Sequence, residues 1–141
     1  NGIVVPYAYF EGIESAANDS FRKKYYQRFG NNADGITEGA AMTYHSVHLW
    51  ALAAAKAGTV DRMKVIQALE SGLSYTGPAG TTTIDPATHH NVLDVYIAEV
   101  RDRRYDVLQS FAQQPPIDTS AVCNLVKNPS DNKQYVIDVK V

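Results

Sequence analysis

Tyr7, Tyr9 and Phe10 gather three aromatic rings at the end of one apolar stretch, residues 3–10. A tyrosine can wall a ligand with its ring while its hydroxyl makes one directed hydrogen bond. In open α/β sheets, ligands lie just beyond the carboxyl ends of the strands, so aromatics in that position face a crevice. The same rings serve equally well as core aromatics, and their types alone divide evenly between the two roles. Thr37 and Glu38 pose a parallel choice. A threonine cap followed by an acid in the first turn is ordinary helix chemistry, yet it also sets two polar groups where a ligand could meet them.

Other chemistries have less behind them. His45 and His48 are spaced i, i+3, and His89 and His90 are adjacent, so four imidazoles invite a metal reading. No carboxylate or thiolate stands with them at ligand spacing, and the histidines read as helix-surface and turn residues; no metal is assigned. A nucleophile elbow of the Gly-x-Ser-x-Gly type is absent, and Cys123 sits among apolar neighbours that raise a thiol pKa and favour a packed, inert side chain. The glycines of Tyr75-Thr76-Gly77-Pro78-Ala79-Gly80 lead into a strand and not a helix, which is the wrong context for a phosphate loop. No catalytic residue and no cofactor are expected.

Composition narrows the classes further. The 141 residues carry 13 basic and 15 acidic side chains, a net charge of -2, and the densest basic run is Arg101, Arg103 and Arg104. That excludes a nucleic-acid footprint, which needs a clustered positive surface. A hydrophobic share of 45% is that of a chain able to bury a core. One cysteine cannot form a disulfide within the chain, and the longest apolar run, residues 47–57, falls short of the roughly 20 residues a bilayer crossing requires. The start at Asn1-Gly2-Ile3, without an initiator methionine, suggests a processed protein or a piece of a longer one, with any export signal outside it.

These side chains must be positioned by local elements. Residues 3–10 read as a strand buried on both faces, with Pro6 marking where ladder pairing stops. Asn18 offers a helix cap, Phe21, Tyr25 and Phe29 recur at helical spacing, and Gly30 supplies the stop. Thr37 caps a second helix with an apolar stripe through Ala41, Tyr44, Val47, Leu52 and Ala55 to Gly58; a third starts near Asp61, buries Val65, Ile66 and Leu69, and ends at Gly72. Residues 75–80 read as a turn cluster and residues 81–84 as a short strand. Residues 92–100 and 104–111 form a β-hairpin around Arg101-Asp102-Arg103, and residues 134–141 alternate as a final strand. The first strand would have few parallel partners, so it should borrow them from further polypeptide or from a second copy, by dimerisation or strand exchange.

The ordered series resembles the C-terminal part of a type I periplasmic solute-binding protein of the branched-chain amino acid, urea and short-chain amide group. The resemblance is carried by Gly2-Ile3-Val4-Val5-Pro6-Tyr7-Ala8-Tyr9-Phe10, Asn18-Asp19-Ser20-Phe21 with Tyr25 and Phe29-Gly30, and Thr37-Glu38-Gly39-Ala40-Ala41-Met42-Thr43-Tyr44. It continues through Ala54-Ala55-Lys56-Ala57-Gly58-Thr59 with Asp61, Val65 and Ala68-Leu69, Gly77-Pro78-Ala79-Gly80 with Ile84-Asp85 and His90, and Ile97-Ala98-Glu99-Val100. The Tyr-Phe after the strand and the Asp-x-x-x-His stretch lean toward urea and amides; residues 113–141 do not match.

What the resemblance implies is an α/β fold, a fragment of a two-lobe solute-binding architecture, in one partial domain with a strand and helices over 1–74 and a β-rich tail over 75–141. Such proteins close over a small polar solute in an interlobe cleft outside the cytoplasm and hand it to the permease subunits of an ABC transporter. Tyr7, Tyr9, Phe10, Thr37 and Glu38 are then the expected solute contacts, and Tyr9→Ala is expected to weaken binding without unfolding the protein. The rival readings are an amide sensor of the same fold, a hydrolase using Glu38 or a histidine, and an interaction module pairing through strand edges near Val141.

Overall fold

The apolar opening stretch forms only a short strand. In the computed structural model, which describes residues 2–136, β1 (Val4–Tyr7) pairs antiparallel with β4 (Asn91–Arg101), Val4 opposite Glu99 and Tyr7 opposite Tyr96. It is not buried on both faces: Val4 is 55% and Tyr7 45% exposed. With a single ladder partner β1 is an edge strand, and Pro6 stays in register opposite Ile97 because an edge strand can turn a missing N–H outward. Only after β1 does the chain go under, through Ala8, Tyr9 and Phe10, all buried.

Three helices follow. α1 (Ala16–Phe29) begins before Asn18, because Ser15 is the cap: its Oγ accepts the Asn18 N–H at 3.1 Å. Asn18 is instead a fully buried residue of the first turn, and Gly30, at φ +91°, ends the helix. α2 (Glu38–Ala57) is capped by Thr37 as expected, and Gly58 closes it in the left-handed conformation. Its buried stripe differs from the expected one. Ala41, His45, Leu49 and Ala53 face inward at every fourth position, whereas Val47, Leu52 and Ala55 are exposed. α3 (Arg62–Glu70), capped by Asp61, packs Val65 and Ala68 against Ala53 in a satellite cluster.

The cluster expected to be all turn is mostly strand. β2 (Ser74–Gly77) and β3 (Gly80–Ile84) pair with Gly77 opposite Gly80, and only Pro78 and Ala79 reverse the chain. A Cβ on Gly77 would stand 2.9 Å from His45 Nε2, and one on Gly80, at φ +89°, would collide with the Asp94 carboxylate. Glycine is therefore needed for close approach, not merely for the turn.

β4 is the shared strand. It pairs with β1, with β3 at Val92 opposite Thr83, and with β5 (Arg104–Gln114), Arg101 standing opposite Arg104 across a two-residue turn. Every pairing among the described strands is antiparallel. Beyond β5 a short α4 (Ile117–Ser120) leads to a tail held by the Leu125 N–H donating to Ala87 O at 2.7 Å; Cys123 is half-buried nearby. Of the expected last strand, residues 134–136 join no ladder and residues 137–141 lie outside the described residues.

His45 is the reason α2 faces the sheet as it does, and it is not a surface histidine. Its Nε2 accepts the Ala79 N–H at 3.1 Å, so the proton of the neutral ring sits on Nδ1 and is donated to Thr82 Oγ1, 3.1 Å away. One imidazole thus satisfies a backbone N–H in the β2–β3 turn and a hydroxyl on β3. Burial, and secondarily the neighbouring His48, lower its pKa from 6.5 to about 4. The unfolded chain therefore binds the proton first as pH falls. The stability due to His45 is complete above pH 6.5 and is lost progressively toward pH 4. Denaturant midpoints of the full-length protein should fall over that window, and His45→Gln should flatten the slope; an unchanged slope would show that His45 charges freely in the fold.

Candidate functional site

Where the chain leaves β1, a cleft of about 930 Å³ opens between the loop that follows, Arg22 of α1, the start of α2 and the β4–β5 turn. Tyr7, Tyr9, Phe10, Thr37 and Glu38 all border it, although 27 positions separate Phe10 from Thr37. Their roles differ. Tyr7 is open to solvent and its ring leans on Phe10 at 5.6 Å; Phe10 in turn packs on Tyr105 of β5 at 5.2 Å. These three rings form an aromatic wall. Thr37 Oγ1 accepts the Ala40 N–H at 3.3 Å, and Glu38 Oε1 accepts the Ala8 N–H at 2.6 Å, which ties the exit of β1 to the start of α2.

Tyr9 belongs to the floor. It is 1% exposed, packs edge-on against Phe21 at 6.3 Å, and donates its hydroxyl proton to Asn18 Oδ1 at 2.9 Å. Burial first, and the Glu11 charge second, push its hydroxyl pKa well above the usual tyrosine value. Asn18 completes the knot by donating from Nδ2 to Glu11 O at 3.1 Å and to Ile13 O at 2.7 Å. A Tyr9 hydroxyl so committed keeps only acceptor capacity toward a solute, and truncating this ring would remove core.

Among the cleft residues that the sequence reading missed are Glu11, Arg22, Arg103, Arg104 and Tyr105. Glu11 accepts the Tyr26 hydroxyl at 2.6 Å and the Ile36 N–H at 3.3 Å, and Arg22 Nε lies 3.6 Å from it. That hydrogen bond to Glu11 raises the Tyr26 pKa, with burial adding to it. Arg103 and Arg104 come from the hairpin turn, whose tip the β4–β5 ladder carries to the cleft. The Arg101 to Arg104 run was visible as a basic cluster, but which arginines reach the cleft depends on register. His45, His48, His89 and His90 do not converge: among the described residues no group of three histidine, cysteine or carboxylate side chains could hold a metal. The cleft lining brings together aromatic faces, guanidiniums and hydrogen-bonded carboxylates.

Residues 1–104 match the model of a family described as periplasmic binding protein. The Leu/Ile/Val-binding protein homolog 6 of Brucella abortus (strain 2308) is 25% identical over 100 residues, which is 70% of this chain and 25% of that protein. A solute-binding protein of an ABC transporter from Rhodopseudomonas palustris HaA2, solved with p-hydroxybenzoic acid, is 30% identical and superposes with a TM-score of 0.68 over 81% of this chain and 32% of its own. A second, from R. palustris BisB5 with 3,4-dihydroxybenzoic acid, is 28% identical with a TM-score of 0.72 and the same shares. The chain therefore spans a quarter to a third of the relatives it matches. Among the described residues no helix is long and apolar enough to cross a membrane.

The Tyr9–Asn18 knot makes a prediction that separates floor from wall. Tyr9→Ala should destabilise the full-length protein by about 4 kcal/mol, as for deletion of a buried ring. Tyr9→Phe should cost about 1.5 kcal/mol by leaving Asn18 Oδ1 without its donor, while solute affinity stays within about twofold of the parent. A large affinity loss in Tyr9→Phe with unchanged melting would put the hydroxyl on the solute instead.

Proposed function

The chain belongs to the periplasmic binding protein family, and on that premise we propose that it forms the part of an extracytoplasmic solute-binding protein that receives a small organic solute on the cleft beside β1. The observation that carries this reading is the aromatic wall of Tyr7, Phe10 and Tyr105 standing beside arginines in one concave site. Rings at 5.2 to 5.6 Å from one another present a continuous apolar face, and the exposed parts of Tyr7 and Tyr105 leave it accessible.

On this reading the rest of the protein supplies the opposing surface. Closure over the solute would exclude water and strengthen each polar contact in the drier site. Release would be to the permease subunits of an ABC transporter. The neighbours' ligands, p-hydroxybenzoic and 3,4-dihydroxybenzoic acids, and the Leu/Ile/Val relative support an aromatic acid or a branched-chain amino acid as the solute. Urea and short-chain amides rest only on the Tyr-Phe and Asp-x-x-x-His likenesses of the sequence.

The test is a thermal-shift panel on the full-length protein with 4-hydroxybenzoate, 3,4-dihydroxybenzoate, leucine, urea and acetamide. A solute present at 100 times its Kd adds about 2.7 kcal/mol to stability and raises the midpoint accordingly. We expect one of the acids to do so, and Tyr105→Ala to reduce the shift without lowering the solute-free midpoint by more than about 2 °C. A flat response across the whole panel would overturn the solute-binding reading.

A further inference from the structure

The charge of the cleft is more specific than its shape. Its lining holds three guanidiniums, from Arg22, Arg103 and Arg104, and two carboxylates, from Glu11 and Glu38. Both carboxylates are engaged internally, Glu38 by the Ala8 N–H and Glu11 by Tyr26, the Ile36 N–H and Arg22. Arg22 is held between Glu11 and Asp19. Arg101, just before the turn, is clamped by Glu99 through Nε at 2.9 Å and Nη2 at 2.6 Å. Arg103 and Arg104 differ: neither is in an ion pair among the described residues.

The backbone points to the same pair. Asp102 and Arg103 occupy the left-handed region at φ 47° and 65°, as a two-residue hairpin turn of this hand requires. Glycine takes the second of these positions at the least cost, whereas an L side chain there is strained. A non-glycine residue held in this region is an outlier of the kind that clusters at ligand-contacting sites, and Arg103 lines the cleft. The ladder between Arg101–Arg104 and Ala98–Val107 is regular, with its irregularities farther from the tip, so the turn presents its side chains from a fixed base.

We infer that the β4–β5 turn is a carboxylate-recognition element, in which Arg103 and Arg104 take the acid group of the solute while Tyr7, Phe10 and Tyr105 hold its body. A guanidinium suits this task because its planar donors match both oxygens of a carboxylate, and such charge-assisted pairs are about twice as strong as neutral ones. The inference rests on the solute-binding reading and names the chemical class of the solute. Small organic carboxylates are favoured, and neutral amides of the same shape are rejected, because an amide offers one acceptor and an N–H₂ group that faces the guanidinium as a donor.

Calorimetric titration of the full-length protein with isosteric pairs, 4-hydroxybenzoate against 4-hydroxybenzamide and leucine against leucinamide, tests this. We expect the acid of at least one pair to bind about tenfold or more tightly than its amide. Arg104→Gln and Arg103→Gly should each erase most of that preference, and Arg101→Gln, outside the cleft, should leave it intact. Arg103→Gly should also raise the solute-free melting midpoint, since it removes the strained turn residue. Equal binding of acid and amide, or an acid preference that survives both turn variants, would overturn the inference while leaving solute binding in place. Binding of urea or acetamide alone would do the same, whereas silence from every solute would remove the solute-binding reading itself.

Discussion

A single buried amide sets the geometry from which the rest of this structure follows. Between the last residue of β1 and the first of α1 the chain must reverse within eight residues, and a reversal inside the core exposes backbone carbonyls that have no ladder to join. Asn18 supplies the missing partners, donating to Glu11 O and Ile13 O and accepting from Tyr9. Every polar atom of the knot is paired, so low local polarity strengthens it. With Asn18 in place, Tyr9 is the floor of the cleft, Phe10 turns to meet Tyr7 and Tyr105, and Glu11 reaches across to the chain entering α2.

His45 performs the matching task on the other side of the core. α2 carries enough alanine and leucine to bury several different stripes, and apolar packing alone would choose poorly among them. Two directed bonds from one neutral imidazole select the stripe that includes His45, and Val47 and Leu52 are left outside as a consequence. The close approach is completed by Gly77, where a side chain would strike the imidazole. Buried polar groups here fix rotation and register, while Ala41, Leu49 and Ala53 contribute the apolar area.

Much of this order was legible in the residues. Helix ends marked by Thr37, Gly30, Gly58 and Asp61, and the hairpin around Asp102 and Arg103, follow from local chemistry that acts over three or four residues. The errors have a common physical origin. The apolar composition of residues 3–10 suggests double burial but does not say how many partners a strand has, and β1 has one. A buried asparagine and a capping asparagine look alike in sequence, and only the groups around Asn18 distinguish them. The glycines of residues 77–80 signal a turn in sequence, and their smallness also serves interstrand and helix contact. In the cleft, the N-terminal aromatics and the start of α2 were legible, whereas Glu11, Arg22 and the turn arginines depend on tertiary partners that no local spacing encodes.

The two sides of the cleft are also set by one strand. β4 places Val4 of β1 opposite Glu99, and the same Glu99 stands opposite Asp106 of β5, so the aromatic side and the guanidinium side are counted from a common residue. A slip of one position in either ladder would turn Tyr7 or the arginines to the opposite face of the sheet. The irregularities in the β4–β5 ladder fall between Leu93 and Val95 and between Ile97 and Ala98, away from the turn. The last rungs, Ala98 to Arg101, are therefore regular up to the turn. A chain of net negative charge can in this way hold a local concentration of guanidiniums, because the ladder and not the overall composition decides where Arg103 and Arg104 are placed.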